Sequence, residues 1–364
     1  MSVLVDIVHP AHVHFYKHII WELQRQGVAT TIVARDKDVT CQLLDNYGFS
    51  YRRVGKSGKK NLFWQAEELV TRDLALAKIA RTTGARVILT RNPAGVQVAR
   101  LLRLRGIFDT DDGPAAGLHY RAAAPFAHAV TTPDCMRANL GKKQVRYPGY
   151  KQTAYLHPNH FRPNPGVLAH LGVAPGERYF VVRFVAMVAS HDGGESGLPQ
   201  ATREEVVKRL LRLGKVFISS EGPLPTEFAQ HRFAPPPELL HDALAYASLL
   251  VGDSQTMAAE AAVLGTPNLR VSSWKGRLDY LDELENSYGI TESFLPREQA
   301  RFFDRLETYA QHPDPRALIR EGHRRMLADK CDVAEWYTRF VLENLCLPEP
   351  PPARDLGDLG ASRA

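Results

Sequence analysis

The chain has 364 residues, enough for two ordinary domains at roughly 100–200 residues each. With 44% hydrophobic and 24% charged residues, 26 Gly and 24 Pro, it is not a collagen, a coiled coil or a mostly disordered chain. The formal charge of +6 is lopsided: residues 1–160 carry 23 basic and 12 acidic side chains, 23 − 12 = +11, and the other 204 carry 23 and 28, 23 − 28 = −5.

In chain order, Val3–Val8 reads as a buried strand and His14–Gln26 as a helix. A strand at Ala29–Ala34 and a helix at Thr40–Tyr47, ended by Gly48, follow. The densest basic run, from Arg52 to Lys60, reads as a solvated loop. It lacks the interleaved aromatics of a nucleic-acid surface. A basic half attracts phosphates or anionic lipid headgroups instead. Next come a long helix at Leu62–Thr82, a strand at Arg86–Thr90, a helix at Gly95–Leu104 and a strand at Gly106–Asp109. The segment Tyr147–Pro165 is proline-punctuated and without period, and reads as the connection between domains. The rhythm then restarts with strands at Tyr179–Phe184, Lys215–Ser219, Leu249–Gly252 and Asn268–Val271. Helices at Arg203–Leu213, Leu239–Ala247 and Thr256–Leu264 alternate with them, and Phe302–Ala310, Pro315–Lys330 and Ala334–Leu345 close the pattern.

Strands alternating with helices predict an α/β fold of two doubly wound, Rossmann-like parallel-sheet domains. The expected boundaries are 1–158 and 166–330, with a C-terminal helix at 331–346 and a disordered tail at 347–364. Ligands of such sheets sit at the carboxyl ends of strands, so a cleft between tandem domains is the expected active site. No window approaches the length of a membrane span, and Met1 runs into Val3-Leu4-Val5 without a signal-peptide pattern. Cys41, Cys135, Cys331 and Cys346 are far apart and form no CxxC pair. A disulfide framework or zinc site is not expected, and a reducing cytoplasm is.

The most informative stretch runs from Leu249 to Arg270 and reads strand, polar turn, helix, Gly-x-Pro, strand. Asp253-Ser254-Gln255-Thr256 puts hydroxyls and free backbone N–H groups at a helix N-terminus, an anion site suited to a diphosphate. Glu260, one turn on, is placed to accept both hydroxyls of a ribose. Ordinary capping by Asp253 or Ser254 is the alternative.

This stretch resembles the donor-nucleotide motif of the glycosyltransferase-B (GT-B) superfamily. It is similar to the Asp-Ser-Gly-Gly-x-x-Glu-Glu…Leu-Gly-x-Pro segment of the non-hydrolysing UDP-N-acetylglucosamine 2-epimerases and to the Ser-Gly…Glu…Gly-x-Pro of MurG-type transferases. Here Gln255-Thr256 stand in place of the glycine pair. The resemblance implies that Ser254, Gln255 and Thr256 face phosphate and that Glu260 faces ribose. The chain as a whole resembles an uncharacterised family of GT-B-like proteins over residues 1–345. That resemblance rests on His9–Phe15, Arg183–Asp192, Ile218–Glu221 and Gly252–Arg270.

Other constellations end strands. His9, His12 and His14 follow the first strand. They lack the spacing of a metal motif and read either as acceptor or phosphate contacts, with His12 as general base, or as capping and packing groups. Asp109, Asp111 and Asp112 supply a base, bind Mg²⁺ beside a diphosphate, or simply close a turn. Arg183 and His191 are placed to neutralise or protonate a leaving phosphate, unless they lie on a solvated loop; Ser219, Ser220 and Glu221 are placed to touch the nucleotide.

The expected function is a nucleotide-sugar glycosyltransferase, with a UDP-sugar donor on the second domain. A lipid-linked or anionic acceptor would lie on the first, with peripheral membrane contact and a role in polysaccharide or glycolipid biosynthesis. A UDP-N-acetylhexosamine 2-epimerase or hydrolase is the alternative, although the epimerases carry an acid where this chain has Arg91-Asn92-Pro93. A non-catalytic nucleotide-binding protein or scaffold is the third.

Overall fold

The computed structural model describes residues 2–37, 39–56, 62–174, 176–185, 198–220 and 222–347. The chain divides into two units. The first contains residues 1–132, 138–146 and 335–364, and the second 133–137 and 147–334. Residues 147–158, assigned by sequence to the first domain, therefore cluster with the second, and most of the C-terminal helix returns to the first.

The first sheet has seven strands: β1 (Ser2–Ile7), β2 (Ala29–Asp36), β3 (Tyr51–Lys56), β4 (Ala85–Thr90), β5 (Arg105–Asp109), β6 (Ala129–Pro133) and β7 (Gln144–Tyr147). Their order is β3-β2-β1-β4-β5-β6-β7, and β1 to β6 pair in parallel. Every residue of β1 is buried, as a central parallel strand covered on both faces requires. The order reverses beside β1, so the carboxyl ends of β1 and β4 frame the crevice where doubly wound sheets bind ligands. The helix Val333–Cys346 contributes to this unit: the buried Arg105 guanidinium donates to Asn344 O at 2.9 Å, satisfying a carbonyl at the helix's negative end.

The second sheet has β8 (Tyr179–Phe184), β9 (Lys215–Ser220), β10 (Leu249–Gly252), β11 (Asn268–Val271) and β12 (Glu292–Phe294). All pairs are parallel, in the order β12-β11-β10-β8-β9. The reversal lies between β8 and β10. A Cβ on Gly252 would collide with the carbonyl oxygen of Arg183 on β8, so only glycine lets the two strands pair this closely here.

The basic run is not wholly a loop. Its first residues form the edge strand β3, where charged side chains discourage pairing with another chain; residues 57–60 lie outside the described region. Several helices start earlier than expected because proline suits the first helical turn. Examples are Pro10–Arg25 and Pro93–Leu101. Pro315–Lys330 is a short 3₁₀ turn followed by a helix at Arg320–Asp329 rather than one helix.

The Gly-x-Pro element has a structural cause. Gly265 follows the helix Gln255–Val263 with φ +69°. Its N–H donates to Ala262 O at 3.0 Å and that of Thr266 to Ala261 O at 2.8 Å, the paired bonds of a Schellman C-cap. A Cβ here would lie 2.9 Å from the His323 ring. Gly265→Ala is expected to cost about 1–3 kcal/mol through the left-handed backbone alone, read as a lowered urea midpoint.

Candidate functional site

In the second unit the site is built at the carboxyl end of β10. Ser254 is the N-cap of Gln255–Val263, its Oγ accepting from Met257 N at 3.3 Å. Capping is thus one of its roles, and its hydroxyl proton is left to donate elsewhere. Asp253 is not the cap. Its carboxylate accepts from Val185 N at 2.7 Å and from Arg203 Nη2 at 3.0 Å. Ser254, Gln255 and Thr256 are half-buried, and the first-turn N–H groups of the helix have no intrahelical acceptor. Thr256 makes no side-chain hydrogen bond among the described residues, while Gln255 donates to Ser272 Oγ at 3.4 Å. Arg183 Nη1 donates to Ser219 Oγ at 2.9 Å, which joins the ends of β8 and β9. Ser220, the last residue of β9, is half-buried beside them.

Glu260 is almost wholly buried. Its Oε1 accepts from Tyr155 Oη at 2.8 Å and from His241 Nε2 at 3.2 Å; Oε2 carries neither bond. Tyr155 comes from the proline-punctuated segment that reads as a linker. That segment contains a short buried helix, Thr153–Leu156. Sequence reasoning missed both partners, since nothing at 155 or 241 signals a contact with 260.

Burial raises the Asp253 carboxyl above its ordinary value, against the opposing pull of Val185 N–H and Arg203. A raised folded value contributes stability below the ordinary carboxylate range, about 3.9, and that contribution is lost as pH rises through the raised value. Wild type is therefore expected to lose stability relative to Asp253→Asn across that window, measured as Tm against pH.

In the first unit a cavity of 430 Å³ opens at the ends of β1, β2, β4 and β5. His9, His12, Arg35, Lys37, Arg91 and His119 are among the residues that line it. His9 caps the helix Pro10–Arg25, its Nδ1 accepting from Ala11 N at 3.2 Å. The Nδ1 of His12 accepts from Val8 N at 3.5 Å. His14, expected with them, does not line the cavity. It is buried, with its Nδ1 3.4 Å from Tyr47 Oη, because its helical position turns it from the strand ends.

Asp109 and Asp111 are brought together, but on a guanidinium: Arg91 Nη1 pairs with Asp109 and Nη2 with Asp111. Asp109 also accepts from Thr131 Oγ1 at 3.1 Å, and Thr131 Oγ1 lies 3.0 Å from Tyr337 Oη on the C-terminal helix. Burial pushes the Tyr337 phenol up, keeping it protonated. This carboxylate pair is charge-compensated, unlike the open cluster that Mg²⁺ or a free base calls for. Arg91 was legible as a departure from the epimerase pattern, but its partners were not.

His191 and Glu221, together with Ser190 and Asp192, lie outside the described residues. One further group, Asp134, Cys135 and Glu283, has the donor spacing of a metal site. The Lys330 ammonium already joins Asp134 at 3.0 Å and Glu283 at 2.9 Å, and burial raises the Cys135 thiol, disfavouring the thiolate a metal needs. No helix among the described residues is long and apolar enough to cross a membrane.

Comparison with known proteins agrees with this architecture. Residues 1–142 match the family described as "Protein of unknown function (DUF354)". An uncharacterized protein of Methanocaldococcus jannaschii is 22% identical over 284 residues, covering 74% of this chain and 81% of that protein. Among solved structures, S. aureus MnaA with UDP is similar at a TM-score of 0.67 and 11% identity, covering 97% of this chain and 100% of that one. The UDP-GlcNAc 2-epimerase of Neisseria meningitidis bound to UDP-GlcNAc is similar at 0.62 and 12%, covering 95% and 99%. Spinosyn rhamnosyltransferase SpnG complexed with thymidine diphosphate is similar at 0.61 and 15%, covering 93% and 100%. The fold is GT-B-like, with two parallel-sheet α/β domains.

Proposed function

We propose that the protein is a nucleotide-sugar-dependent glycosyltransferase of GT-B type, with a UDP-sugar as donor. The second unit holds the nucleotide: the diphosphate lies on the N-terminus of Gln255–Val263, with Ser254 and Thr256, and the ribose on Glu260. Arg183 and Ser219 lie at neighbouring strand ends, where a leaving diphosphate needs donors. The cavity of the first unit holds the acceptor, and its lining of two arginines and a lysine against two aspartates suits an anionic or lipid-linked one. Peripheral membrane contact and a role in polysaccharide or glycolipid biosynthesis extend that reading. Similarity in fold to proteins solved with UDP and thymidine diphosphate supports a nucleotide ligand.

Arg91 is the observation that carries the choice of transferase over epimerase. The epimerase pattern places an acid just after the fourth strand, and elimination with re-addition needs carboxylates able to move a proton. Here a guanidinium occupies that position and engages the two nearest carboxylates. The epimerase reading keeps the support of overall fold similarity. Incubation with UDP-N-acetylglucosamine, followed by anion-exchange and sugar analysis, separates the two. A transferase releases UDP and forms no 2-epimer; accumulation of the 2-epimer, as nucleotide sugar or as free sugar, would overturn the reading.

A further inference from the structure

The three histidines lining the first unit's cavity are not equivalent, and the difference follows from the backbone groups they touch. Backbone N–H groups can only donate and carbonyls can only accept. Nδ1 of His9 and Nδ1 of His12 face the N–H groups of Ala11 and Val8. Each Nδ1 must therefore be the unprotonated acceptor, and the neutral ring offers Nε2–H, a donor. His119 has the opposite arrangement. Its Nε2 lies 2.9 Å from the carbonyl oxygen of Arg91, so Nε2 carries the proton and the neutral ring keeps a lone pair on Nδ1. No hydrogen bond reaches that Nδ1 among the described residues.

We infer that His119 is the general base of this cavity and that His9 and His12 serve as hydrogen-bond donors. The inference rests on the transferase reading and moves the base from His12, where the sequence put it. His119 is held as a base should be, with one nitrogen anchored so that the tautomer is set by its partner. The anchor is itself fixed, because the Arg91 side chain is tied to Asp109 and Asp111 and the His119 ring lies 6.1 Å from that of Phe108. In the step this supports, His119 Nδ1 takes the proton of an acceptor hydroxyl. The hydroxyl oxygen forms a bond to the anomeric carbon of the donor. The bond from that carbon to the diphosphate oxygen breaks, and its electron pair leaves with the nucleoside diphosphate. Arg35 and Lys37, at the end of β2, line the same cavity with Arg91, Asp109 and Asp112; with Asp109 held by Arg91, the remaining balance is basic and favours an acceptor that carries negative charge.

The test uses the full chain, UDP-N-acetylglucosamine as donor and water as acceptor, with UDP release as the readout. His119→Gln keeps a donor for the Arg91 carbonyl but has no basic nitrogen. It should lower kcat about 10²–10⁴-fold with KM and UDP affinity unchanged, and added imidazole should restore turnover in His119→Ala. A His119→Gln enzyme with wild-type kcat would overturn the assignment while leaving the transferase reading intact. Absence of UDP binding to wild type would instead overturn the reading on which the assignment rests. Nitrogen-15 NMR of the ring gives a second decision that does not depend on turnover. A neutral Nε2–H tautomer supports the base, and a neutral Nδ1–H tautomer overturns it.

Discussion

Arg91→Ala is expected to destabilise the protein by about 3–5 kcal/mol, the range for removing one partner of a buried ion pair. The side chains of Asp109 and Asp111 are 0% and 3% exposed, so both lose their partner while buried when the guanidinium is gone. The cost comes from stranding two buried carboxylates rather than from the attraction lost. Urea denaturation measures it, with the midpoint falling and the slope unchanged. Asp109→Asn in the Arg91→Ala background should recover part of the loss, since it removes one of the stranded charges. A midpoint within error of wild type would mean that Arg91 does not hold this cluster.

Glu260→Ala is expected to act twice. It leaves Tyr155 Oη and His241 Nε2 without their acceptor in the core, at about 1–3 kcal/mol for each buried group left unsatisfied. It also removes the proposed ribose acceptor. Glu260→Gln separates the effects, because the amide oxygen can still accept from Tyr155 while the carboxylate that takes both ribose hydroxyls is gone. The alanine variant should have a lower Tm without ligand and bind no UDP. The glutamine variant should keep most of the Tm and bind UDP at least tenfold more weakly in a calorimetric titration. Equal UDP affinity in wild type and Glu260→Gln would remove Glu260 from the ribose site.

The sequence carried the parallel sheets well where strands are central. The apolar runs Val3-Leu4-Val5 and Leu249-Leu250-Val251 admit little else, and both lie in fully buried strands, Ser2–Ile7 and Leu249–Gly252. Edge strands were harder. β3 is dominated by arginine and lysine, and β12 is three residues long, so neither shows an apolar run. Proline misled twice, shortening helices that it begins and turning Tyr147–Pro165 into a linker although it contains the helix of Tyr155. At the candidate sites, single residues at strand ends were legible because strand ends follow from topology. Their partners were not. Arg91 meets Asp109 and Asp111 only because β4 and β5 are neighbours, and Tyr155 reaches Glu260 across 105 positions of sequence. His119 lies on the short helix Leu118–Ala123, where no element was expected, and its significance depends on which atom of Arg91 it faces. The Gly-x-Pro signal was legible, and its glycine ends a helix.

Every proposed role of the second unit depends on its binding a nucleoside diphosphate. The most direct test is a thermal-shift panel of UDP, GDP, CDP, ADP and dTDP on wild type and Glu260→Gln. A ligand at 100 times its Kd should add about 2.7 kcal/mol of stability. UDP is expected to raise the wild-type Tm, and the shift is expected to be lost or much reduced in the variant. A panel in which no nucleotide moves the wild type, or in which UDP moves both proteins equally, would contradict that expectation.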